Sequence, residues 1–160
     1  MRAVLLHGAH DVRVDEVPLP TIVEAGDAII KLAAACVCGS DLWAYRGIDP
    51  ITTPVSVGHE YCGVVQEVGP GVKNVKPGDF VVGSFFASDN TCEICRSGYQ
   101  SSCLDRRPMG AENCQAEYLR VPLADGTLVA AFGDDVGGAE LEGELLAGFV
   151  AAHRNDAFGP

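Results

Sequence analysis

Apolar residues recur in short runs over the first 130 positions of the chain, and glycine and proline separate the runs. Met1 to His7 and Asp11 to Val17 flank the turn sequence Gly8-Ala9-His10, so together they predict a β-hairpin. The stretch 27–35 is apolar apart from two charged residues and predicts a strand buried on both faces. Runs of this length are typical of strands rather than of long helices.

The later runs continue this pattern as far as residue 130. A short helix is predicted at 41–46, and further strands are predicted at 58–69, 80–82, 116–121 and 127–130. Apolar residues then recur every fourth position from Leu141 to Phe149 and predict a helix over 139–153. We therefore expect a mainly β domain over residues 1–130, with short helices, and a separate tail over residues 131–160.

Length and charge narrow the class of protein. The chain has 160 residues, enough for one domain with its own core, and a net charge of −11. An acidic surface repels phosphate groups and anionic lipid, which argues against nucleic-acid and membrane-surface partners. The apolar run from Ala3 to Leu6 is too short for a signal peptide, and no run reaches the length of a membrane span. We therefore expect a cytoplasmic protein.

Seven cysteines in a chain without an export signal favour metal or redox chemistry over a disulfide framework. Cys92 and Cys95 have the spacing of a zinc knuckle, Cys103 supplies a third thiolate, and Asp89 lies three residues before Cys92. We expect these four residues to hold one metal ion. The metal would stabilise a lobe at about 85–110, which has too few aliphatic residues for a hydrophobic core of its own. The alternatives are a redox dithiol for the cysteine pair and an Asx turn for Asp89.

A second candidate site begins at Cys38, whose thiolate is a possible metal ligand. Gly39 permits a sharp turn, and the Ser40 hydroxyl can pass on a proton. Asp41 can either orient a neighbouring imidazole or cap the helix that follows. His59, at the start of the long strand, is a possible partner for Cys38. A buried cysteine, a turn, a helix cap and a structural histidine are the simpler interpretation.

The order of these motifs resembles that of a known family. The sequence resembles the N-terminal catalytic domain of the zinc-dependent, medium-chain alcohol dehydrogenases over roughly residues 1–130. Five segments carry the resemblance in the right order: Cys38-Gly39-Ser40-Asp41, Gly58-His59-Glu60, 75–81, the spaced cysteines ending at Cys103, and Gln115-Ala116-Glu117-Tyr118.

The resemblance implies a GroES-like, partly open β-barrel with a catalytic zinc and a small lobe with a structural zinc. It implies that Cys38 and His59 are ligands of the catalytic zinc and that Ser40 begins removal of the alcohol proton. Asp41 would support His59, and Glu60 would be a carboxylate able to approach the metal. The implied reaction is oxidation of an alcohol by hydride transfer to NAD(P), with a small-molecule alcohol or aldehyde as the implied partner. Candidate pocket walls, if they are not core residues, are Phe85, Phe86, Trp43 and Tyr61.

The sequence also departs from the family. Asp89 stands where the first of four structural cysteines is usual, and Trp43 stands where many members carry a proton-relay histidine. Cys36, Cys62 and Cys114 have no role in the pattern. Cys36 is either a competing metal ligand or, as we expect, a buried, inert thiol, and we expect Cys62 and Cys114 to be small core residues.

The family's nucleotide-binding half has no counterpart in this sequence, because a G-x-G-x-x-G turn after a strand is missing and we predict no Rossmann domain in this chain. The expectation is a truncated catalytic domain with little activity of its own. The alternative is a non-catalytic, zinc-stabilised module that binds a partner through its barrel, with the tail over 131–160 as the docking element.

Overall fold

The computed structural model describes residues 1–52 and 54–131. This part of the chain forms ten strands, three short α-helices and two single turns of 3-10 helix at 100–102 and 109–111. The helices are α1 Asp41–Tyr45, α2 Glu93–Arg96 and α3 Ala124–Thr127. The strands are β1 Arg2–Gly8, β2 Asp11–Glu16, β3 Ala28–Ala35, β4 Val55–Ser56, β5 Tyr61–Val68, β6 Phe80–Gly83, β7 Phe86–Ala87, β8 Arg107–Pro108, β9 Tyr118–Val121 and β10 Leu128–Ala130.

The main sheet has five strands in the order β10-β6-β5-β3-β9, and every pair in it is antiparallel. β3 pairs with β5 along one edge, from Ala28 opposite Val68 to Ala35 opposite Tyr61. Along its other edge β3 pairs with β9 over four residues. A three-stranded sheet, β2-β1-β4, and the two-stranded β7-β8 complete the strands. The prediction of a mainly β fold with short helices is therefore confirmed.

The core packs against the main sheet and consists mostly of small and branched apolar side chains. Ile30, Leu119 and Val81 are fully buried there, and Met109 and Cys114 close the core from the connection that precedes β9. Cys114 is therefore a core residue, as predicted, and its burial raises the pKa of its thiol to about 12. None of the helices in the described part of the chain has the length and apolarity needed to cross a membrane.

The predicted hairpin is confirmed, with Val4 opposite Val14. The strands predicted at 58–69 and 80–82 are present as β5 and β6, which pair antiparallel. β3 is buried on both faces only from Ala28 to Ile30, because the chain beyond is exposed at Lys31 and Ala35. The expectation of burial along its whole length was wrong. The predicted helix at 139–153 lies outside the described residues.

The strand predicted to begin at Gly58 begins at Tyr61 instead. Gly58 has a φ of +86°, a backbone conformation that strands do not use, so the chain turns there. His59 and Glu60 consequently lie in a connecting segment at the end of the sheet. This shift leaves their side chains outside the ladder of β5, next to the segment that leaves β3.

Candidate metal centres

The antiparallel pairing of β3 with β5 brings two predicted site segments together. Cys38 follows the end of β3, and His59 and Glu60 precede the start of β5, so both segments emerge at the same edge of the sheet. The N–H of Cys36 still donates to the carbonyl of Glu60 at 3.1 Å. The Cys38 sulfur, a His59 ring nitrogen and a Glu60 carboxylate oxygen lie within 4.8 Å of one another. A thiolate, an imidazole and a carboxylate are a donor set that suits zinc.

Asp41 contacts both Cys38 and His59, the two predicted metal ligands. Its Oδ2 accepts a hydrogen bond from the main-chain N–H of Cys38 at 2.8 Å, and its Oδ1 lies 3.4 Å from Nδ1 of His59. Asp41 is the first residue of α1, and the position before it, Ser40, makes no side-chain capping bond. The alternative in which Asp41 caps the helix was therefore wrong, because its carboxylate is turned toward the loop.

The orientation of His59 follows from its neighbours. Its side chain is buried, with Nδ1 facing the Asp41 carboxylate. Nε2 lies 3.4 Å from the Ser40 hydroxyl, on the opposite side of the ring. A histidine whose Nδ1–H points to a carboxylate presents Nε2 as the free nitrogen, the usual arrangement in zinc sites. Ser40 itself is exposed.

A cavity of about 500 Å³ opens beside this group. Phe85 lines it and packs against His59, with ring centroids 4.0 Å apart, and Tyr61 lines it as well. Trp43 and Phe86 are not among the lining residues, so they are not walls of this cavity. Trp43 is 55% exposed on α1, so it belongs to neither the core nor the cavity.

Cys36 and Cys62 also line the cavity, and both are half-buried. The prediction that Cys62 is a core residue was wrong, since the core side of β5 is taken by Tyr61, Gly63 and Val65. Partial burial raises the pKa of the Cys62 thiol. Cys36 lies just beyond the end of β3, so its expected full burial is not observed either.

The second candidate centre lies in the lobe formed by β7, β8 and α2. One ligand atom from each of Asp89, Cys92, Cys95 and Cys103 lies within 4.8 Å of the other three. Cys92 precedes α2, and its sulfur accepts from the N–H of Cys95 at 3.4 Å. The Cys103 sulfur accepts from the N–H of Asp89 at the same distance. Main-chain donors thus stabilise negative charge on the sulfurs in advance of any metal.

The thiols of Cys92 and Cys95 in the lobe have pKa values shifted in opposite directions. Main-chain N–H groups of Leu104 and Cys95 lower the pKa of Cys92. Burial raises the pKa of Cys95 to about 12, and hydrogen bonding with its neighbours acts in the same direction. Crowded thiols of this kind lose their protons together only when a cation is present to compensate the charge.

Asp89 forms an Asx turn and also belongs to the candidate metal cluster. Its Oδ1 accepts the N–H groups of Thr91 at 2.8 Å and Cys92 at 3.1 Å, which is an Asx turn. These bonds hold the pKa of Asp89 far below its ordinary value. A carboxylate oxygen of Asp89 also belongs to the cluster with the three sulfurs. One side chain can therefore close the turn and face the metal position.

Comparison with known proteins identifies the family that has this fold and this order of motifs. The family model described as "Alcohol dehydrogenase GroES-like domain" matches residues 24–131. The chain belongs to the zinc-type, medium-chain alcohol dehydrogenases. What matches is the N-terminal GroES-like domain of that family, and the predicted GroES-like fold is thereby confirmed.

Individual relatives of this dehydrogenase domain agree. "Zinc-type alcohol dehydrogenase B" of Aspergillus flavus is 43% identical over 134 residues, which cover 82% of this chain and 31% of the relative. "Alcohol dehydrogenase TADH from Thermus sp. ATN1" is 37% identical with a TM-score of 0.75, over 84% of this chain and 41% of that one. A "Zinc dependent alcohol dehydrogenase 2" from Streptococcus pneumonia is 32% identical with a TM-score of 0.74, over 94% and 44%. The chain thus spans less than half of each protein.

Proposed function

We propose that this domain is the zinc-binding catalytic part of an NAD(P)-linked alcohol dehydrogenase. The observation that carries the proposal is the convergence of Cys38, His59 and Glu60 within 4.8 Å, with the Ser40 hydroxyl 3.4 Å from His59. Membership of the zinc-type family supports the same reaction class, with an alcohol or aldehyde as substrate. We also propose that the domain ends near residue 130 and that residues 131–160 are a distinct segment.

In this proposal Cys38 and Nε2 of His59 would hold the catalytic zinc, and Glu60 is a further carboxylate close to both of them. Bound zinc would supply Lewis-acid polarisation of the substrate oxygen. Asp41 fixes the ring of His59 from the opposite side and anchors the loop of Cys38 by its N–H. Phe85 shields one face of the imidazole from water.

Ser40 is the residue proposed to take the alcohol proton. Its hydroxyl lies beside His59 and is exposed, so the proton can pass on to solvent. Trp43 offers no ionisable group for a longer relay within the helix. The described residues contain no glycine-rich turn between a strand and a helix, so they offer a dinucleotide no phosphate-binding site of the usual kind.

The lobe cluster is proposed to be the structural zinc site, with Asp89 and three thiolates as ligands. Its four donors converge, and its sulfurs are already hydrogen-bonded to main-chain N–H groups. Four protein ligands leave no open position for a substrate, as expected of a structural rather than a catalytic site.

Metal content tests the proposal. Elemental analysis of the purified 160-residue chain should find two zinc ions, one lost in Cys38→Ala and the other lost in Cys92→Ala. Cys36→Ala is the matched control for Cys38→Ala, since it removes a thiol from the same cavity edge and should keep both ions. A single zinc, lost only in Cys92→Ala, would contradict the catalytic site and favour the non-catalytic, zinc-stabilised module. We expect little turnover of simple alcohols with NAD(P) by this chain alone.

A further inference from the structure

Gln115 lies in the segment that precedes β9, and its main chain is firmly held. The carbonyl of Gln115 accepts the N–H of Val4, in β1, at 2.8 Å. The next residue, Ala116, forms a bridge with Ala3. The backbone of Gln115 is therefore fixed by the three-stranded sheet rather than by either segment that carries a candidate zinc ligand.

The Gln115 side chain reaches the segment that carries Cys38. Its Nε2 donates a hydrogen bond to the carbonyl of Cys36 at 3.2 Å. The ladder between β3 and β5 ends with Ala35 opposite Tyr61, so this carbonyl lies just beyond the regular sheet. The bond holds the carbonyl side of Cys36, two residues before Cys38, while its N–H makes the last main-chain bond to the His59 segment, at Glu60.

The same side chain packs against the segment that carries His59. A Cβ placed on Gly58 would lie 2.7 Å from Cγ of Gln115 and 3.2 Å from its Nε2. The side chain of Gln115 therefore lies directly on the backbone of Gly58, at the turn immediately before His59. One side chain thus contacts both segments that must converge for Cys38 and His59 to share a metal.

We propose that Gln115 is a positioning residue, whose amide and stem together set the separation between the Cys38 and His59 segments. The inference rests on the proposed function, because it assigns that separation to zinc binding. A residue that supports ligands from behind typically changes metal affinity by about 10- to 100-fold when it is removed.

Gln115→Met tests the amide, because it keeps the length and most of the packing on Gly58 but removes the donor to Cys36. Gln115→Ala removes the donor and the packing together. Gln66→Met is the matched control, since Gln66 is an exposed glutamine on β5. Each chain is stripped of metal under reducing conditions and titrated with Co²⁺, whose visible spectrum reports ligand geometry. Cys38→Ala identifies the spectrum that belongs to the lobe alone.

The expected result is that Gln115→Met binds Co²⁺ at the Cys38 site about 10-fold more weakly, with altered visible bands, and that Gln115→Ala is weaker still. Affinity at the lobe and the thermal midpoint of the metal-free chain should stay at parental values. An unchanged Cys38 site would overturn the inference. So would an equal loss at both sites with a lower thermal midpoint, because Gln115 would then support the fold in general.

A second measurement separates failure of this inference from failure of the proposed function. If the parent chain takes up no Co²⁺ at the Cys38 site, the catalytic proposal fails. Amide hydrogen exchange of the metal-free chains then decides the role of Gln115. Faster exchange at the Cys38 N–H in Gln115→Met than in Gln66→Met supports positioning, and equal rates overturn it.

Discussion

The carboxylate of Asp41 accepts a hydrogen bond from the main-chain N–H of Cys38 at 2.8 Å. Its other oxygen lies 3.4 Å from Nδ1 of His59, so one side chain supports both proposed ligands. Asp41→Ala should therefore weaken zinc binding at this site by about 10- to 100-fold, because the ring and the loop both lose their anchor. Competition with a chromophoric chelator measures the affinity.

Asp49→Ala is the control for this prediction. It removes an exposed carboxylate shortly after α1 and changes the net charge by the same amount as Asp41→Ala. Zinc affinity at the lobe should be parental in both variants. Equal affinities of the Asp41 and Asp49 variants at the Cys38 site would show that Asp41 has no role in holding the metal.

Asp89 combines a turn and a candidate metal ligand, and the two roles can be separated. Asp89→Asn keeps an Oδ1 that can accept from Thr91 and Cys92 but removes the negative charge. We expect zinc at the lobe to bind at least about 10-fold more weakly, because a neutral amide is a poor zinc ligand. Asp89→Cys supplies a fourth thiolate and should restore or exceed the parental affinity.

Asp105→Asn is the companion control, because it neutralises an exposed carboxylate two residues after Cys103. It should leave the lobe affinity unchanged. If Asp89→Asn behaves in the same way, Asp89 serves the Asx turn alone and the lobe metal is held by three thiolates and some other donor.

The hydroxyl of Tyr61 is buried and finds no hydrogen-bond partner among residues 1–52 and 54–131. A Cβ on Gly83 would collide with this oxygen, so the phenol ring covers that glycine. Burying an unpaired hydroxyl costs free energy of folding. Tyr61→Phe should therefore stabilise the domain by about 1 kcal/mol, a rise of roughly 2–4 °C in thermal midpoint.

Calorimetry or circular dichroism on the metal-loaded chain measures this shift. Tyr99→Phe is the control, because Tyr99 is 66% exposed and its hydroxyl can bond to water. It should leave the midpoint within error of the parent. A lower midpoint for Tyr61→Phe would mean that the hydroxyl has a partner after all.

Asp27, just before β3, and Arg120 in β9 form an ion pair at 2.7 Å, with Asp27 fully buried. Burial pushes the pKa of Asp27 upward, but hydrogen bonds from Arg120 and from the N–H groups of Glu24 and Val23 outweigh it, and the pKa falls below its ordinary value. A lowered carboxyl pKa stabilises the folded state fully above about pH 4, and this contribution is lost as pH falls through the folded-state pKa.

Arg120→Met should therefore lower the free energy of unfolding at pH 7 by about 3–5 kcal/mol, because it leaves the buried Asp27 carboxylate without its cationic partner. The difference from the parent should shrink as pH falls below about 4, because the parent then loses its stabilisation as Asp27 is protonated through its lowered pKa. Urea unfolding at pH 7 and below about pH 4 measures the difference in free energy of unfolding between variant and parent. Arg107→Met, which breaks exposed pairs with Glu24 and Asp105, should cost less than about 1 kcal/mol.

Much of this architecture can be predicted from local signals. The hairpin follows from alternation around Gly8-Ala9-His10, and the lobe cluster follows from the spacing of Cys92, Cys95 and Cys103, because ligands so close in sequence need only a turn to meet. The proximity of Cys38 and His59 could be proposed only through the family resemblance. Twenty-one residues of separation carry no geometric constraint by themselves.

What the sequence could not supply are relationships set by strand register. Arg120 meets Asp27 because β3 and β9 are neighbours, which no pattern within either strand reveals. Cys62 follows Tyr61 in β5, and one-residue alternation decides which of them faces the core. The contacts of Gln115 could not be predicted either, because its partners lie in segments far from it in the chain.

The two candidate metal centres differ in how much of the chain must be in place before their ligands meet. Asp89 to Cys103 is a stretch of fifteen residues, so the lobe can close on a metal as a short loop with a modest entropy cost. The Cys38 and His59 segments converge only after β3 has paired with β5, and Gln115 reaches them from later in the chain. When the complete chain refolds, we therefore expect a metal to bind at the lobe before one binds at the Cys38 site, which needs long-range strand pairing first.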